Sequence, residues 1–163
     1  MILRIRTILD VEDDVLRDIE IEDNAELKDL HFAIAKSYGF AGKEMASFYK
    51  TNENWEQGDE MNLVDLGIGK DYTNEELNTI FISENNRLLY VYDFLALWTF
   101  FIEVMEITEH KKNIKYPNLV FSQGEVPENP SRKYFNEKKF NDYKGENNEN
   151  IEDIDDEDYD QFY

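Results

Sequence analysis

The strongest constraint on the fold is the apolar run from Leu88 to Met105, in which only Asp93 and Glu103 carry charge. Residues 88–94 and 98–105 are rich in aromatic and β-branched side chains, which favour strands. The FLAL segment between them is predicted to form a turn or a bulge. We therefore predict two central strands whose large aromatic side chains dominate the core.

The same run also has two alternative interpretations, a soluble helix and a membrane span. A helix over residues 93–107 is the alternative to the strands, since Leu97, Phe101 and Val104 also recur at helical spacing. A membrane-spanning helix would need about 20 apolar residues. The uncharged stretch from Phe94 to Ile102 is too short for that, so no membrane segment is predicted.

The N-terminal residues predict a β-hairpin. Residues 1–11 alternate between apolar and polar side chains, as expected of a half-buried strand. The side chains predicted to face the core are Leu3, Ile5, Thr7, Leu9 and Val11. A polar turn at 12–14 and a second alternating segment at 15–21 complete the hairpin.

A helix is predicted directly after the hairpin. Asp23 and Glu26 suit a capping box at its start. One apolar stripe follows at helical spacing, formed by Leu27, Leu30, Ile34 and Tyr38. Gly39 is predicted to end the helix.

The remaining elements are shorter. Residues 45–50 predict a strand, residues 77–81 a short helix after a capping box, and residues 116–130, with all three prolines, an ordered loop. The predicted fold class is α+β, with a β-grasp-like mixed sheet, one main helix packed on it and an acidic C-terminal tail. Residues 1–130 are predicted to form a single domain.

The charge balance restricts the function. The chain has 17 Lys and Arg residues against 37 Asp and Glu residues, a formal net charge of -20. Such a surface repels phosphates and anionic membranes, so neither direct nucleic-acid binding nor membrane association is expected. The chain has no cysteine, which suits a reducing cytoplasm. Residues 1–14 lack the apolar core of a signal peptide, and cytoplasmic localisation is the prediction.

The C-terminal residues form two compositional segments. Residues 131–144 hold five basic residues against two acidic ones and are interpreted as a basic, aromatic connector. Residues 145–163 hold nine acidic residues and no basic one, so a flexible acidic tail is expected. Aromatic side chains among carboxylates suit docking on a basic partner. The candidate docking residues are Asp156, Asp158, Tyr159, Phe162 and Tyr163.

No motif predicts catalysis, a metal or a cofactor. His31 is interpreted as a helix-boundary histidine with a local hydrogen bond, and His110 has no second ligand at metal-binding spacing. The sequence contains no Gly-x-Ser-x-Gly motif and no phosphate loop.

Three segments carry a resemblance to a known family: LKDLHFAIAKSYGF at 27–40, YVYDFLALW at 90–98 and YPNLVFSQGEVPENP at 116–130. They resemble the L-x-x-L-H helix, the Y-x-Y-D-F-x-x-x-W strand and the Tyr-Pro segment of the plasmid pRi open-reading-frame-three-like family, which is also met as passenger proteins of insertion elements. The resemblance covers residues 1–130. The matching positions are Leu30, His31, Tyr92, Asp93, Phe94, Trp98, Tyr116 and Pro117.

The chain departs from the family pattern at polar positions. Leu95 and Ala96 stand where the pattern has Gly-Asp, and Phe100 stands where it has His. The Pro-Pro-Glu-Asp run is replaced by residues 127–130. Apolar side chains thus replace much of any polar site that the family shares. The resemblance implies a fold, and it implies no assigned enzymatic activity.

The prediction for function is a non-enzymatic interaction module. It would bind a basic protein partner, such as a nucleic-acid-binding machine, through its sheet, its acidic and aromatic tail, or both. One alternative is mimicry of nucleic acid, with carboxylates occupying the groove of a DNA- or RNA-binding protein. The other is an enzyme of unknown type with a site near Asp93 and Trp98. Its best candidate residues are His31, Asp93 and Trp98, which the chain retains from the family pattern. Their structural alternatives are a boundary histidine, a turn-capping aspartate and a core tryptophan.

Overall fold

A computed structural model describes residues 1–63 and 71–130 of the chain. Its described elements, in chain order, are β1 (Ile2–Leu9), β2 (Leu16–Glu22), α1 (Leu27–Ser37), β3 (Ala46–Lys50), β4 (Glu60–Asn62), α2 (Leu77–Ile80), β5 (Arg87–Tyr92), β6 (Trp98–Thr108) and β7 (Asn118–Gln123). The strands form one sheet in the order β4-β3-β5-β6-β1-β2-β7. The predicted connector at 131–144 and acidic tail at 145–163 lie outside the described residues.

The N-terminal hairpin is confirmed. β1 and β2 pair antiparallel, with Ile5 opposite Ile19. The side chains predicted to face the core, from Leu3 to Val11, are all buried. Alternation is a reliable signal here because one face of each strand is packed under a helix.

The two central strands are also confirmed, and the alternative helix over 93–107 is wrong. β5 and β6 pair antiparallel, with Tyr92 opposite Trp98. The turn between them depends on Asp93 and Leu97, whose φ angles are 63° and 59°. A helix cannot continue through such left-handed residues, so the segment reverses instead.

The prediction of a mixed sheet is wrong. Every pair of neighbouring strands among the described residues is antiparallel. Three pairs come from consecutive strands, β1–β2, β3–β4 and β5–β6. β6 then lies antiparallel to β1, and β7 antiparallel to β2, so none of these pairings places two strands in the same direction.

The prediction of a loop over 116–130 is wrong at residues 118–123. These residues form β7, which pairs with β2 and places Leu119 opposite Ile19. The prolines that suggested a loop, Pro117 and Pro127, flank the strand and leave its amides intact.

Helix α1 is confirmed, but its predicted cap is wrong. The helix begins after Glu26, whose N–H donates to the Asp29 carboxylate at 2.9 Å. Asp23 is still part of the hairpin end, because its N–H donates to the Met1 carbonyl at 3.0 Å. Gly39 follows the helix with a φ of 82°, as expected of the residue that ends it.

The sheet is covered by side chains on both faces. The main core lies between α1 and one face and contains the buried Tyr90, Phe100 and Trp98. A smaller cluster on the opposite face contains Leu89 and Phe101, the alternating neighbours of the first two. Trp55 joins this second cluster, with its ring 5.1 Å from that of Phe101. Trp55, in the connection between β3 and β4, therefore covers the far face of the sheet.

One helix is too narrow for this sheet. A helix with its side chains is about 10 Å wide, whereas seven strands span about 29 Å between the first and the last. The buried face of α1, including Leu30 and Ile34, covers the middle of the sheet. α2 adds Leu77 and Ile80 to the same core. The face of β2 and β7 beyond α1 is left open to a groove.

Candidate functional site

His31 lies in the core and makes two side-chain hydrogen bonds. Its Nε2 is 3.1 Å from the Gly42 carbonyl, and its Nδ1 is 2.6 Å from the Tyr90 hydroxyl. A carbonyl only accepts, so Nε2 carries the hydrogen, and in the neutral ring the Tyr90 hydroxyl then donates to Nδ1. Burial lowers the pKa of His31, and the hydrogen bond to Gly42 opposes this only in part. His31 is thus a neutral, buried residue rather than a boundary histidine.

Tyr92 and Trp98 complete a closed aromatic cluster beside His31. The Tyr92 hydroxyl accepts hydrogen bonds from the backbone N–H groups of Gly42 and Glu44, at 3.0 and 3.3 Å. Phe40 packs against both rings, with centroid distances of 5.1 Å to Tyr92 and 5.2 Å to Trp98. These family-motif residues therefore fix the connection between α1 and β3.

Asp93 caps the turn that follows β5, as predicted for a structural role. Its Oδ1 accepts hydrogen bonds from the N–H groups of Leu95 and Ala96, at 3.1 and 3.2 Å. Phe94 is 36% exposed and Leu95 is 90% exposed. Asp93 therefore stabilises the turn between β5 and β6.

The last two family-motif residues lie in a different part of the molecule. Tyr116 and Pro117 immediately precede β7. The ring of His110 packs 5.1 Å from that of Tyr116, and His110 Nε2 is 3.5 Å from Glu22 Oε1. The structure thus gathers the family residues of α1, β5 and β6 into one cluster and places Tyr116 and Pro117 at another site.

That second site is a groove between α1 and β7, which we call the α1/β7 groove. Its volume is about 780 Å³, within the range of ligand-binding pockets. Apolar side chains from β2, α1 and the β7 segment form most of its lining. The lining residues are Ile19, Ile21, Glu22, Asn24, Ala25, Asp29, Phe32, Ala33, Lys36, Ser37, Tyr116, Pro117 and Leu119.

The polar groups of the groove are distributed unevenly along it. Glu22 and Asp29 lie toward the start of α1, whereas Lys36 lies in its last turn. The side chain of Glu22 is 43% exposed, so its charge reaches the groove mouth. One end of the groove is therefore acidic and the other basic, with apolar surface between them.

One wall of the groove is the edge strand β7. It lies at one end of the sheet, and Leu119, Val120 and Phe121 are 46%, 38% and 41% exposed. Sheet edges are templates for pairing, and proteins usually cover them or place charges there. Three successive exposed apolar residues on an edge strand are unusual.

Arg17 fixes one end of the groove. Its guanidinium donates to the carbonyls of Ser37 at 3.0 Å, Leu16 and Gln123 at 2.8 Å, and Gly124 at 3.1 Å. Its side chain also lies over the Tyr38 ring at 4.8 Å. This buried arginine therefore ties the end of α1 to the end of β7 and holds the two walls together.

The sequence pattern does not predict the groove, because it favours a loop where β7 forms. The available signal was the short run Leu119-Val120-Phe121, whose residue types favour strands. The docking residues predicted in the tail, from Asp156 to Tyr163, lie outside the described residues. Within the two described ranges, no group of three or more His, Asp or Glu side chains is placed to hold a metal ion. In the same ranges, no helix is long and apolar enough to cross a membrane.

Over the described residues, the fold is that of an α+β protein with a large antiparallel sheet, one long helix on one face and a groove beside it. The chain belongs to the plasmid pRiA4b ORF-3-like protein family, whose model matches residues 2–162. The resemblance seen in residues 1–130 is thereby confirmed, and the match continues past them.

Comparison with solved structures supports the fold and gives no information on function. The chain is similar to the crystal structure of the protein of unknown function MM3350 from Methanosarcina mazei Go1, with a TM-score of 0.68 and 23% sequence identity. That similarity covers 78% of this chain and 72% of the other. No curated protein matches this chain.

Proposed function

We propose that this protein is an interaction module that binds an extended, basic and apolar segment of a protein partner in the α1/β7 groove. The observation that carries the proposal is a groove of about 780 Å³ with an apolar floor and an edge strand as one wall. Size, lining and an available edge are the three features that peptide-binding sheets share.

The edge strand suggests how a peptide would bind. An extended segment added beside β7 would form main-chain hydrogen bonds with its outer edge. Alternate side chains of the segment would then point to the helix side of the sheet. There they would meet the apolar surface of Phe32, Ala33 and Leu119. Main-chain bonds would supply affinity, and the groove would select the side chains.

Charge favours a basic partner. The chain carries a formal net charge of -20, and Glu22 and Asp29 place carboxylates at one end of the groove. A long-range field of this sign speeds the approach of a cationic segment, and salt screens it. A basic protein, including one that binds nucleic acid, is the class of partner proposed.

The likeness to a β-grasp arrangement is limited to the order of hairpin, helix and strand. Docking through the acidic tail, and mimicry of nucleic acid by it, depend on residues 145–163 and stay predictions. An enzyme site near Asp93 and Trp98 gains no support from the geometry, because the first residue caps its own turn and the second is buried. A cytoplasmic setting also stays a proposal.

Fluorescence anisotropy with repeat peptides tests the proposal. A fluorescein-labelled peptide of alternating Phe and Lys is titrated with the full-length chain, and a peptide of alternating Phe and Glu serves as the charge control. We expect the Phe-Lys peptide to bind more tightly, with an affinity that falls as NaCl is raised. Equal affinity for the two peptides would contradict the role of charge.

Matched variants test the site. Phe32→Lys and Leu119→Lys each replace an exposed apolar side chain of the groove by a cation. Leu95→Lys makes the same change in the β5–β6 turn, outside the groove. We expect each groove variant to weaken Phe-Lys peptide binding by about tenfold, which corresponds to about 1.4 kcal/mol. The proposal is wrong if the Leu95 variant weakens binding as much as the groove variants.

A further inference from the structure

The first observation concerns the chain that leaves β7. Arg17 holds the carbonyls of Gln123 and Gly124 beside that of Ser37, the last residue of α1. Two residues further on, Val126 packs against the main core, which lies on the helix side of the sheet. The chain therefore leaves β7 at the C-terminal end of α1, on the side of the sheet where the groove opens.

The second observation is one of length. The groove is lined from Ala25, which precedes α1, to Ser37 at the end of α1, a length of about 18 Å at the rise of a helix. An extended chain covers this distance with about six residues, at about 3.3 Å each. The sequence continues from 131 to 163 beyond the described residues. Residues 131–144 alone are more than twice as long as the groove requires.

The third observation is chemical complementarity. Residues 131–144, SRKYFNEKKFNDYK, carry four aromatic and five basic side chains. Lys138 and Lys139 immediately precede Phe140 as a pair, so this stretch offers cations close in sequence to an aromatic residue. The groove offers an apolar floor with Glu22 and Asp29 at one end. Residues 145–163 contain no basic residue and do not match that acidic end.

We propose that residues 131–144 of the same chain occupy the α1/β7 groove and act as an internal ligand that a partner must displace. This inference rests on the proposed function, since it assigns a regulation to the same groove. Attachment to the chain gives such a segment a high effective concentration, of the order of millimolar. A partner segment then competes with it, and its apparent affinity falls in proportion to the fraction of open grooves.

Paramagnetic relaxation enhancement on the full-length chain tests the inference. The natural chain has no cysteine, so Asn141→Cys provides a single thiol for a nitroxide label beside Phe140. We expect the amide signals of Ala33, Lys36 and Leu119 to lose most of their intensity relative to the reduced label. The amide of Tyr49 lies in β3, near the opposite end of the sheet from β7. It serves as the reference signal and should keep its intensity.

Charge reversal and isotope mixing make the test specific. Lys138→Glu with Lys139→Glu should restore the groove signals, whereas Lys111→Glu with Lys112→Glu, the same change at exposed positions outside the groove, should leave them broadened. Absence of broadening overturns the inference. So does broadening that appears only when a labelled chain is mixed with a separate isotope-enriched chain, since the occupant would then be a second copy. Groove broadening that persists in the Lys138 and Lys139 variant also overturns it.

Peptide binding separates failure of the inference from failure of the proposed function. If both are right, the Lys138 and Lys139 variant binds the Phe-Lys peptide about tenfold more tightly than the natural chain, because its groove is open. If the peptide binds both proteins equally and no broadening is seen, the internal ligand is wrong and the binding function stands. If broadening is seen but the peptide binds neither protein, the proposed partner site is wrong.

Discussion

The two sides of helix α1 differ in burial: one side packs into a closed aromatic cluster, and the other faces a groove. On the side of β5, His31, Tyr90 and Tyr92 are buried. His31 and Tyr92 form hydrogen bonds with the backbone of Gly42, in the α1–β3 connection, and Tyr90 forms one with the His31 ring. On the side of β7, the corresponding surface of the helix faces a groove of about 780 Å³. The closed side holds most of the family-motif residues. Most family-motif residues therefore stabilise the packing of the fold, whereas the groove lies on the other side of α1.

We expect the largest loss of stability when Arg17, which connects α1 to β7, is replaced. Arg17→Met removes a buried guanidinium that binds four backbone carbonyls. Leaving such acceptors unsatisfied should lower the free energy of unfolding by about 3 kcal/mol or more. Urea unfolding measures the change. Lys36→Met, which removes an exposed cation of the same groove, is the control with an expected effect within about 0.5 kcal/mol.

Loss of the Arg17 contacts should also weaken peptide binding in the groove. We expect Arg17→Met to weaken Phe-Lys peptide binding under conditions where the protein is still folded, since the two walls are no longer tied together. A destabilised variant with unchanged peptide affinity would show that the groove is held open by other contacts.

A smaller effect is expected on the closed side. Tyr90→Phe removes the donor to His31 Nδ1 and leaves that nitrogen buried without its partner. The expected cost is about 1–2 kcal/mol in the free energy of unfolding. Peptide affinity should not change, because neither residue lines the groove. If this variant loses peptide binding while it is still folded, the two sides of α1 are coupled and the comparison breaks down.

The smallest expected effect is a dependence on pH. Burial lowers the pKa of His31 from its ordinary value of 6.5, so the unfolded chain binds a proton more readily at this residue than the folded protein does. Stability is therefore complete above pH 6.5 and falls as the pH decreases toward the lower folded pKa. Unfolding curves between pH 7.5 and pH 5 measure this loss. His110→Gln should retain the slope, whereas a slope that vanishes in this variant would assign the effect to the exposed histidine.

The sequence predicts those elements in which one face is buried. Alternation in β1 and β2 and the helical spacing of Leu27, Leu30 and Ile34 are consequences of that burial, so they are visible in a single chain. His31 lies on the same stripe of α1, one residue after Leu30. Its position signals burial, although its residue type suggested a boundary.

The groove could not be predicted because it depends on elements that are distant in sequence. β7 is short, its side chains are largely exposed, and prolines stand on both sides of it, so local patterns favoured a loop. β4 has only three residues. The surface arises when β7 joins β2 next to a helix that lies about 90 positions earlier in the chain. Long-range pairing of this kind leaves little trace in local periodicity.

The two tryptophans provide an optical record of the two sides of the sheet. Trp98 belongs to the core under α1, and Trp55 belongs to the small cluster on the opposite face. Replacing one of them by Phe leaves a protein whose intrinsic fluorescence reports a single layer. Coincident unfolding transitions of the two single-tryptophan proteins mean that the layers unfold together. Separate transitions mean that the loop around Trp55 opens first and that the far face is a layer of lower stability.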